Sequence, residues 1–560
     1  MTANDLIAAF ETLADAPDGV KRLRELVLQL AVRGKLVAQD PQDEEAGRLL
    51  QRITRGRARV EDALRVRKPK PSSAVSGDEA PFELPGTWLW CRLQDVGVVV
   101  AGGTPPSGDA SNFCDDGGHP WLTPADMRTW TKGKYITRGE RNLTEKGLAA
   151  CSAQLMPAGT VVFSSRAPIG YVAIASNPVA TNQGFKSVVP GIDGLGDFLR
   201  IYLLYAAPYI DAVAPGTTFK EVSGAFMGPY PCPLPPLAEQ HRIVARVDEL
   251  MGLLDRLETA RTARDDVRRA ARDAALAALR DAEDTDAVEA AWGRIAGQMD
   301  ALFAEPEDVG PLRQAVLGLA VRGRLVPQDS RDESAKAFSR RVVAERTRVG
   351  GRASKGGSVA SHEIPFEVPQ TWTWVRFGDI FECRLGKMLD KAKNRGSLHP
   401  YLRNANVRWG SFDLSDVLQM RLEEHEVPDV TVRRGDLVIC EGGEPGRASV
   451  WESEEPFVIQ KALHRARPYL VDARYYQIHL RVDCASGRVA ELFTGATIQH
   501  FTGQVLDKHT VTLPPLPEQH RIVAKVDALM AICDALEARL TTARDLHAQF
   551  AAAAVHDFDG

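Results

Sequence analysis

Nothing constrains this chain more than the fact that it is written twice. The run LRELVLQLAVRGKLVAQDPQDE from Leu23 to Glu44 returns from Leu312 to Glu333 as LRQAVLGLAVRGRLVPQDSRDE. PFELPGTWLWCRLQDV from Pro81 is matched by PFEVPQTWTWVRFGDI from Pro365. The third and closest pair is LPPLAEQHRIVARVDELMGLLDRLE from Leu234 and LPPLPEQHRIVAKVDALMAICDALE from Leu513. Order is kept, and between the second and third repeat of each half lies a segment of similar length whose sequence is almost unrelated to its counterpart. Such repetition predicts two like units. Drift after duplication would erode frame and insert to a similar degree, whereas a retained frame around divergent inserts presents two different readers on one scaffold.

The frame reads as helix. In the third repeat Ile243, Val247, Leu250, Leu254 and Leu257 alternate spacings of four and three, as do Ile522, Val526, Leu529, Cys533 and Leu536, which is a heptad seam. Prolines just before each seam, and Glu518 after Pro517 in the second copy, suit a helix start. About 20 residues of helix, roughly 30 Å, would let the Leu250 and Leu529 seams pair antiparallel; ordinary interdomain packing is the competing account. The first repeat places Leu23, Leu26, Val27, Leu30 and Ala31 on one helical face and stops at Gly34, or Gly323 in the copy. The basic runs that follow, Arg52 to Lys70 and Arg340 to Lys355, end in compositions typical of flexible linkers.

The boundaries expected are a helical region over 1–60, a first insert domain over 81–233, a central helical spacer over 234–345, a second insert domain over 365–512 and a helical region over 513–560. The inserts mix short β-rich runs such as GTVVFSS, YVAIAS and DLVICE with Gly, Pro and Asn turns, so the expected class is α+β.

A net charge of −5 argues against a protein that coats nucleic acid, so any DNA reading rests on local clusters. Lys132, Lys134, Arg138 and Arg141 form one, and Lys387, Lys391, Lys393, Arg395, Arg403 and Arg408 another. Cations neutralise phosphates, while Asn or Gln pairs with adenine and Arg with guanine. Polar runs add Thr104, Ser165, Arg166, Asn182, Gln183 and Lys186 in the first insert, and Asn404, Asn406, Arg447, Gln460 and Lys461 in the second. For each of these residues a solvated turn is the competing account.

Catalytic signatures are missing. No lysine has an acidic residue two places before it, as a PD…(D/E)xK nuclease needs, and no GK pair is followed by Ser or Thr as in a Walker A loop. The PP pairs sit in TPPSG, LPPLA and LPPLP, not in the (N/D/S)PP(Y/F/W) motif of an amino-methyltransferase. The triplets Glu239, Gln240, His241 and their copies at a helix start are explained by capping and partner contacts. Eight scattered cysteines show no zinc spacing, so no metal is expected, and the N-terminus lacks an export signal, so the expected location is cytoplasmic.

The seam run LPPLPEQHRIVAKVDALMAICDALEARL, with LQLAVRGKLV, the two PxxW runs, AGGTPPSG, HPWLTPADM, VVFSSRAPIGYVAI, ATNQ, YLRNANV and GDLVICEGGEPGR, closely resembles the specificity subunits of type I restriction–modification systems. That resemblance implies two target-recognition domains separated by two long helices packed as an antiparallel coiled-coil pair, in a pseudo-twofold repeat. It implies double-stranded DNA as ligand, each domain reading half of a split, asymmetric site, and two methylation subunits and restriction subunits as partners. S-adenosylmethionine, ATP and magnesium would then sit on those partners, with no cofactor on this chain and no membrane. A methylation-only complex and a helical scaffold are the alternatives.

Overall fold

The computed structural model describes residues 10–559 apart from 11–12, 17, 67, 70, 72, 130–132, 217–219, 391–393 and 491–499. It divides into two compact units, Met1–Ala263 with Asp545–Gly560, and Arg264–Arg544. Each unit holds one copy of the three repeats, and each is a mixture of helix and sheet.

In the first unit the first repeat forms the helix Gly19–Val32, which buries the face its spacing marks, Leu23, Leu26, Val27, Leu30 and Ala31. In the second, Val309–Val321 buries Leu312, Ala315, Val316, Leu319 and Ala320. Both stop at a left-handed glycine, Gly34 at φ 68° and Gly323 at φ 70°. Space as well as φ requires glycine there: a Cβ would lie 2.5 Å from Pro85 Cγ or 2.6 Å from Pro369 Cγ, atoms of the second repeat.

The seam packs against this first helix. Ile243, Val247, Leu250 and Leu254 are buried in one apolar cluster with Leu23, Leu26 and Leu30, and Leu257 packs at its edge. Ile522, Val526, Leu529, Cys533 and Leu536 share the other unit's cluster with Leu312, Val316 and Leu319. An ion-pair clasp repeats beside each: Arg24 reaches Asp255 and Glu258, both at 2.8 Å, and Arg313 reaches Asp534 at 2.5 Å and Glu537 at 2.7 Å. The expectation that the two seams pack on each other is therefore revised, because each is occupied inside its own unit. The helices are also longer than the seam implied, Leu237–Asp281 at 45 residues and Leu516–Asp559 at 44.

The supposed linkers are different too. The basic run after the first repeat is helical over Ala46–Leu64, with Leu49 and Ile53 buried, and over Ala335–Arg348, with Phe338 and Val342 buried. Beyond them the chain is strapped down by a repeated arginine. Arg92 donates to the carbonyls of Ser73 and Ala74 (both 3.2 Å) and pairs with Glu79 at 2.8 Å; Arg376 donates to the carbonyls of Gly357 and Ser358 and pairs with Glu363 at 2.7 Å. The guanidinium holds each carboxyl at about 2, below the usual carboxylate range.

All three repeats meet at a buried carboxylate. Glu239 and Glu518 open the seam helices and are 0% and 1% exposed. Gln39 Nε2 donates to Glu239 at 2.6 Å, and Gln328 Nε2 to Glu518 at 2.5 Å, from the first repeat. From the second repeat, Trp372 Nε1 donates to Glu518 at 2.9 Å. Arg242 with Asp43 and Arg521 with Asp332, each at 2.7 Å, close the corner. The EQH triplet is thus a fastening: Gln240 and Gln519 donate at 2.9 Å to the carbonyls of Pro235 and Pro514.

From this corner the chain enters and leaves each insert through one antiparallel ribbon, Leu89–Arg92 with Pro231–Leu234 and Thr373–Arg376 with Thr510–Leu513. The first insert is a five-stranded sheet in the order Gly97–Ala101, Lys186–Pro190, Val161–Ser165, Ile169–Ala175, Tyr135–Ile136, beside a smaller sheet containing His119–Leu122 parallel to Ala180–Thr181. The second repeats the plan with four strands, Phe381–Leu385, Leu463–Pro468, Leu437–Cys440 and Ala448–Val450, beside Ser397–Leu402 parallel to Phe457–Ile459. Among the described residues no helix is long and apolar enough to cross a membrane.

Two predictions follow from the corner. Trp372→Phe leaves a buried carboxylate oxygen without its donor and should cost about 1–3 kcal/mol, read by urea denaturation of the purified chain. Burial pushes the Glu518 carboxyl up, opposed by Trp372 and Gln328. A carboxyl that holds its proton better when folded favours folding below its ordinary value, and loses that contribution as pH rises through the folded one. The Tm of Glu518→Gln minus that of the unsubstituted chain should therefore increase as pH is raised from 4 towards 7.

Candidate nucleic-acid interface

The strands of each insert end in loops that a common set of backbone hydrogen bonds holds together. In the first insert Gly103 N–H donates to Thr181 O (2.9 Å), Asn182 N–H to Leu122 O (2.9 Å), Ser165 N–H to Gly184 O (2.7 Å) and Val222 N–H to Ser165 O (3.0 Å). In the second, Lys387 donates to Ile459 (3.0 Å), Gln460 to Leu402 (3.3 Å), Glu441 to Ala462 (2.8 Å) and Phe501 to Glu441 (2.7 Å). Bond by bond these match, so positions 103 and 387, 165 and 441, 182 and 460, and 183 and 461 are equivalent although the sequences around them differ. The loops approach so closely that a Cβ on Gly102 would lie 1.9 Å from Asn182 O, and one on Gly386 2.3 Å from Gln460 O. Only glycine fits there.

In the first insert the frame gathers Thr104, Ser165, Arg166, Asn182, Gln183 and Lys186. Thr104 Oγ1 donates to Gln183 Oε1, and both side chains are exposed. Asn182 Oδ1 accepts from Gly184 N–H at 2.8 Å. Lys186 is buried and donates to Ser165 Oγ at 3.2 Å; burial lowers its affinity for a proton, and Glu221, 3.6 Å away, opposes that. Glu221 also pairs with Arg166 at 3.3 Å. Sequence reasoning missed this carboxylate because it is far from both cations along the chain.

Lys134 is not in this group. It bridges Asp197 (2.8 Å) on the helix Gly196–Val213 and Asp248 (2.9 Å) on the seam helix, so it is a packing residue of the first unit. Arg138 is exposed beside the carbonyl of Asp115, and Arg141 stacks 4.8 Å over Phe113. Lys132 lies outside the described residues.

In the second insert the frame gathers Lys387, Asn404, Arg447, Gln460 and Lys461. Lys387 pairs with Glu426. Arg447 pairs with Glu444 and donates at 2.9 Å to Asn404 O. Asn404 Nδ2 donates to Gly442 O at 2.6 Å, while its buried Oδ1 has no partner among the described residues. Lys461 is exposed, its backbone N–H bonded to Lys387 O at 2.7 Å. Asn406 is 2% exposed, its side-chain carbonyl accepting from Arg403 N–H and its amide donating to Asp413 O and Asp416 O, so it shapes a turn. Arg395 and Arg408 are exposed, Arg408 lying 3.5 Å from Asp413; Lys391 and Lys393 lie outside the described residues.

Each insert thus fixes its loops by the same backbone bonds while the side chains at equal positions differ. The family described as type I restriction modification DNA specificity domain matches residues 85–264 and 369–543, one match over each insert and the seam that follows. The chain is 28% identical to the type I restriction enzyme EcoAI specificity subunit of Escherichia coli, covering 94% of this chain and 91% of that one. Against the EcoEI specificity subunit of the same organism the identity is 26%, with the same coverage. The solved HsdS subunit from Thermoanaerobacter tengcongensis aligns at 19% identity and a TM-score of 0.42, over 86% of this chain and 98% of that chain. This chain belongs to the type I restriction–modification DNA specificity family.

Lys134 and Arg408 separate packing from interface. Lys134→Ala removes the cation that Asp197 and Asp248 share, leaving them the charge of Arg200, and should lower stability by about 0.5–1 kcal/mol. Arg408→Ala should stay within about 0.5 kcal/mol of the unsubstituted chain. Thermal unfolding of the two variants checks both.

Proposed function

We propose that this chain is the DNA-sequence-specificity subunit of a type I restriction–modification complex and carries no catalytic centre of its own. The observation that carries the reading is the pair of matched loop frames with unlike side chains, in a chain whose two inserts both match the specificity family. Each insert reads one half of a split target, and because the positions of Thr104, Arg166 and Gln183 carry different residues in the second insert, the two halves differ and the site is asymmetric.

The helices Leu237–Asp281 and Leu516–Asp559 set the unread gap. Because both run well past the seam, an antiparallel pairing between them would use their continuations beyond Leu257 and Leu536. A pseudo-twofold relation of the inserts would then follow that of the duplex half-sites. The complex contains two methylation subunits, and restriction subunits where the system cleaves. S-adenosylmethionine, ATP and magnesium belong to those partners, and the assembly works in the cytoplasm.

Coexpression with the methylation subunit in an unmethylated host, followed by genome-wide mapping of N6-methyladenine, tests this. A split, asymmetric motif that appears only when this chain is present is the expected result. A verified complex that yields no motif would instead make the chain a helical scaffold.

A further inference from the structure

The proposed function leaves open which side chains tell one half-site from the other, and the two frames narrow that choice. Most polar side chains around the loops are engaged within their own unit: Lys186 with Ser165, Arg166 with Glu221, Lys387 with Glu426, and Arg447 with Glu444. Position 183 and its equivalent 461 stand out instead for how the backbone on either side of them is held. Each directly follows the residue whose N–H ties the parallel strand pair together, Asn182 to Leu122 and Gln460 to Leu402. Each directly precedes the residue whose carbonyl accepts from the neighbouring loop, Gly184 from Ser165 and Ala462 from Glu441. The backbone is therefore pinned on both sides, and the side chain is exposed in both units.

We propose that positions 183 and 461 are the paired specificity positions of this protein, Gln183 reading an adenine and Lys461 a guanine, one in each half-site. This rests on the DNA-reading function proposed above. The chemistry matches the side chains. An amide pairs with adenine through one donor and one acceptor, whereas a lysine donates to the two acceptors of guanine. Thr104 Oγ1 donates to Gln183 Oε1 and orients the amide. That oxygen keeps a second lone pair and the nitrogen keeps both protons, so the edge adenine requires stays available. Thr104 is thus a positioning residue for Gln183. Its equivalent, Met388, is 56% exposed and offers Lys461 no hydroxyl donor, which an ammonium does not need.

The test compares the unsubstituted chain with Gln183→Ala, Thr104→Val and Lys461→Ala, each coexpressed with the methylation subunit, by mapping N6-methyladenine and by equilibrium binding of the complex to its mapped site. Gln183→Ala should relax one adenine position in one half-site, with preference there falling about 5- to 150-fold, and leave the other half unchanged. Thr104→Val should relax the same position more weakly. Lys461→Ala should relax one guanine position in the opposite half-site. An unchanged motif in both alanine variants overturns the proposal. So does a uniform loss of binding with a shallower salt dependence, which marks phosphate contacts. If the unsubstituted complex shows no motif at all, the proposed function fails instead, and the two failures are thereby told apart.

Discussion

Glu239 and Glu518 are carboxylates removed from water at the start of a helix, and much else in each unit is arranged around them. A buried carboxylate demands donors, and here they come from chain segments far apart in sequence, Gln39 or Gln328 from the first repeat and, in the second unit, the Trp372 indole from the second. Losing any one of them leaves a polar atom stranded. Gly34 and Gly323 are held to the same standard by space, since Pro85 and Pro369 occupy the volume a side chain would need. These mutual requirements account for the frame having kept its sequence in both copies while the inserts between have not.

The inserts obey a different rule. Their loops are held by N–H to carbonyl bonds that almost any residue can supply, so side chains at the loop tips are free to differ without moving the loops. Gly102 and Gly386 are the exceptions, because the crossing backbone leaves no room for a Cβ. A binding surface built this way changes its target by substitution at pinned positions. The fold beneath it stays the same.

Periodicity made the helical frame legible: the buried faces of Gly19–Val32 and Val309–Val321, the glycine stops and the seam are all where apolar spacing puts them. The partner of the seam was not legible, because a heptad pattern states that a face is buried and leaves open what buries it. Helix Ala46–Leu64 was hidden for a related reason, its many arginines masking the apolar positions, Ala46, Leu49 and Ile53, that anchor it. At the interface, residue type alone marked Lys134, Lys186 and Asn406 as DNA contacts. The first bridges two aspartates, the second is buried against Ser165, and the third holds a turn.

Duplication, the order of frame and insert, and the helical nature of the frame reside in the linear chain, because they are recorded as repeats and local spacings. Tertiary structure alone decided which cations are engaged within a unit and which are exposed. It also established that Gln183 and Lys461 stand at the same place in two unlike sequences. Those facts depend on hydrogen bonds and ion pairs between residues tens to hundreds of positions apart, such as Lys134 with Asp248 or Phe501 with Glu441, and no local pattern of residues carries that information.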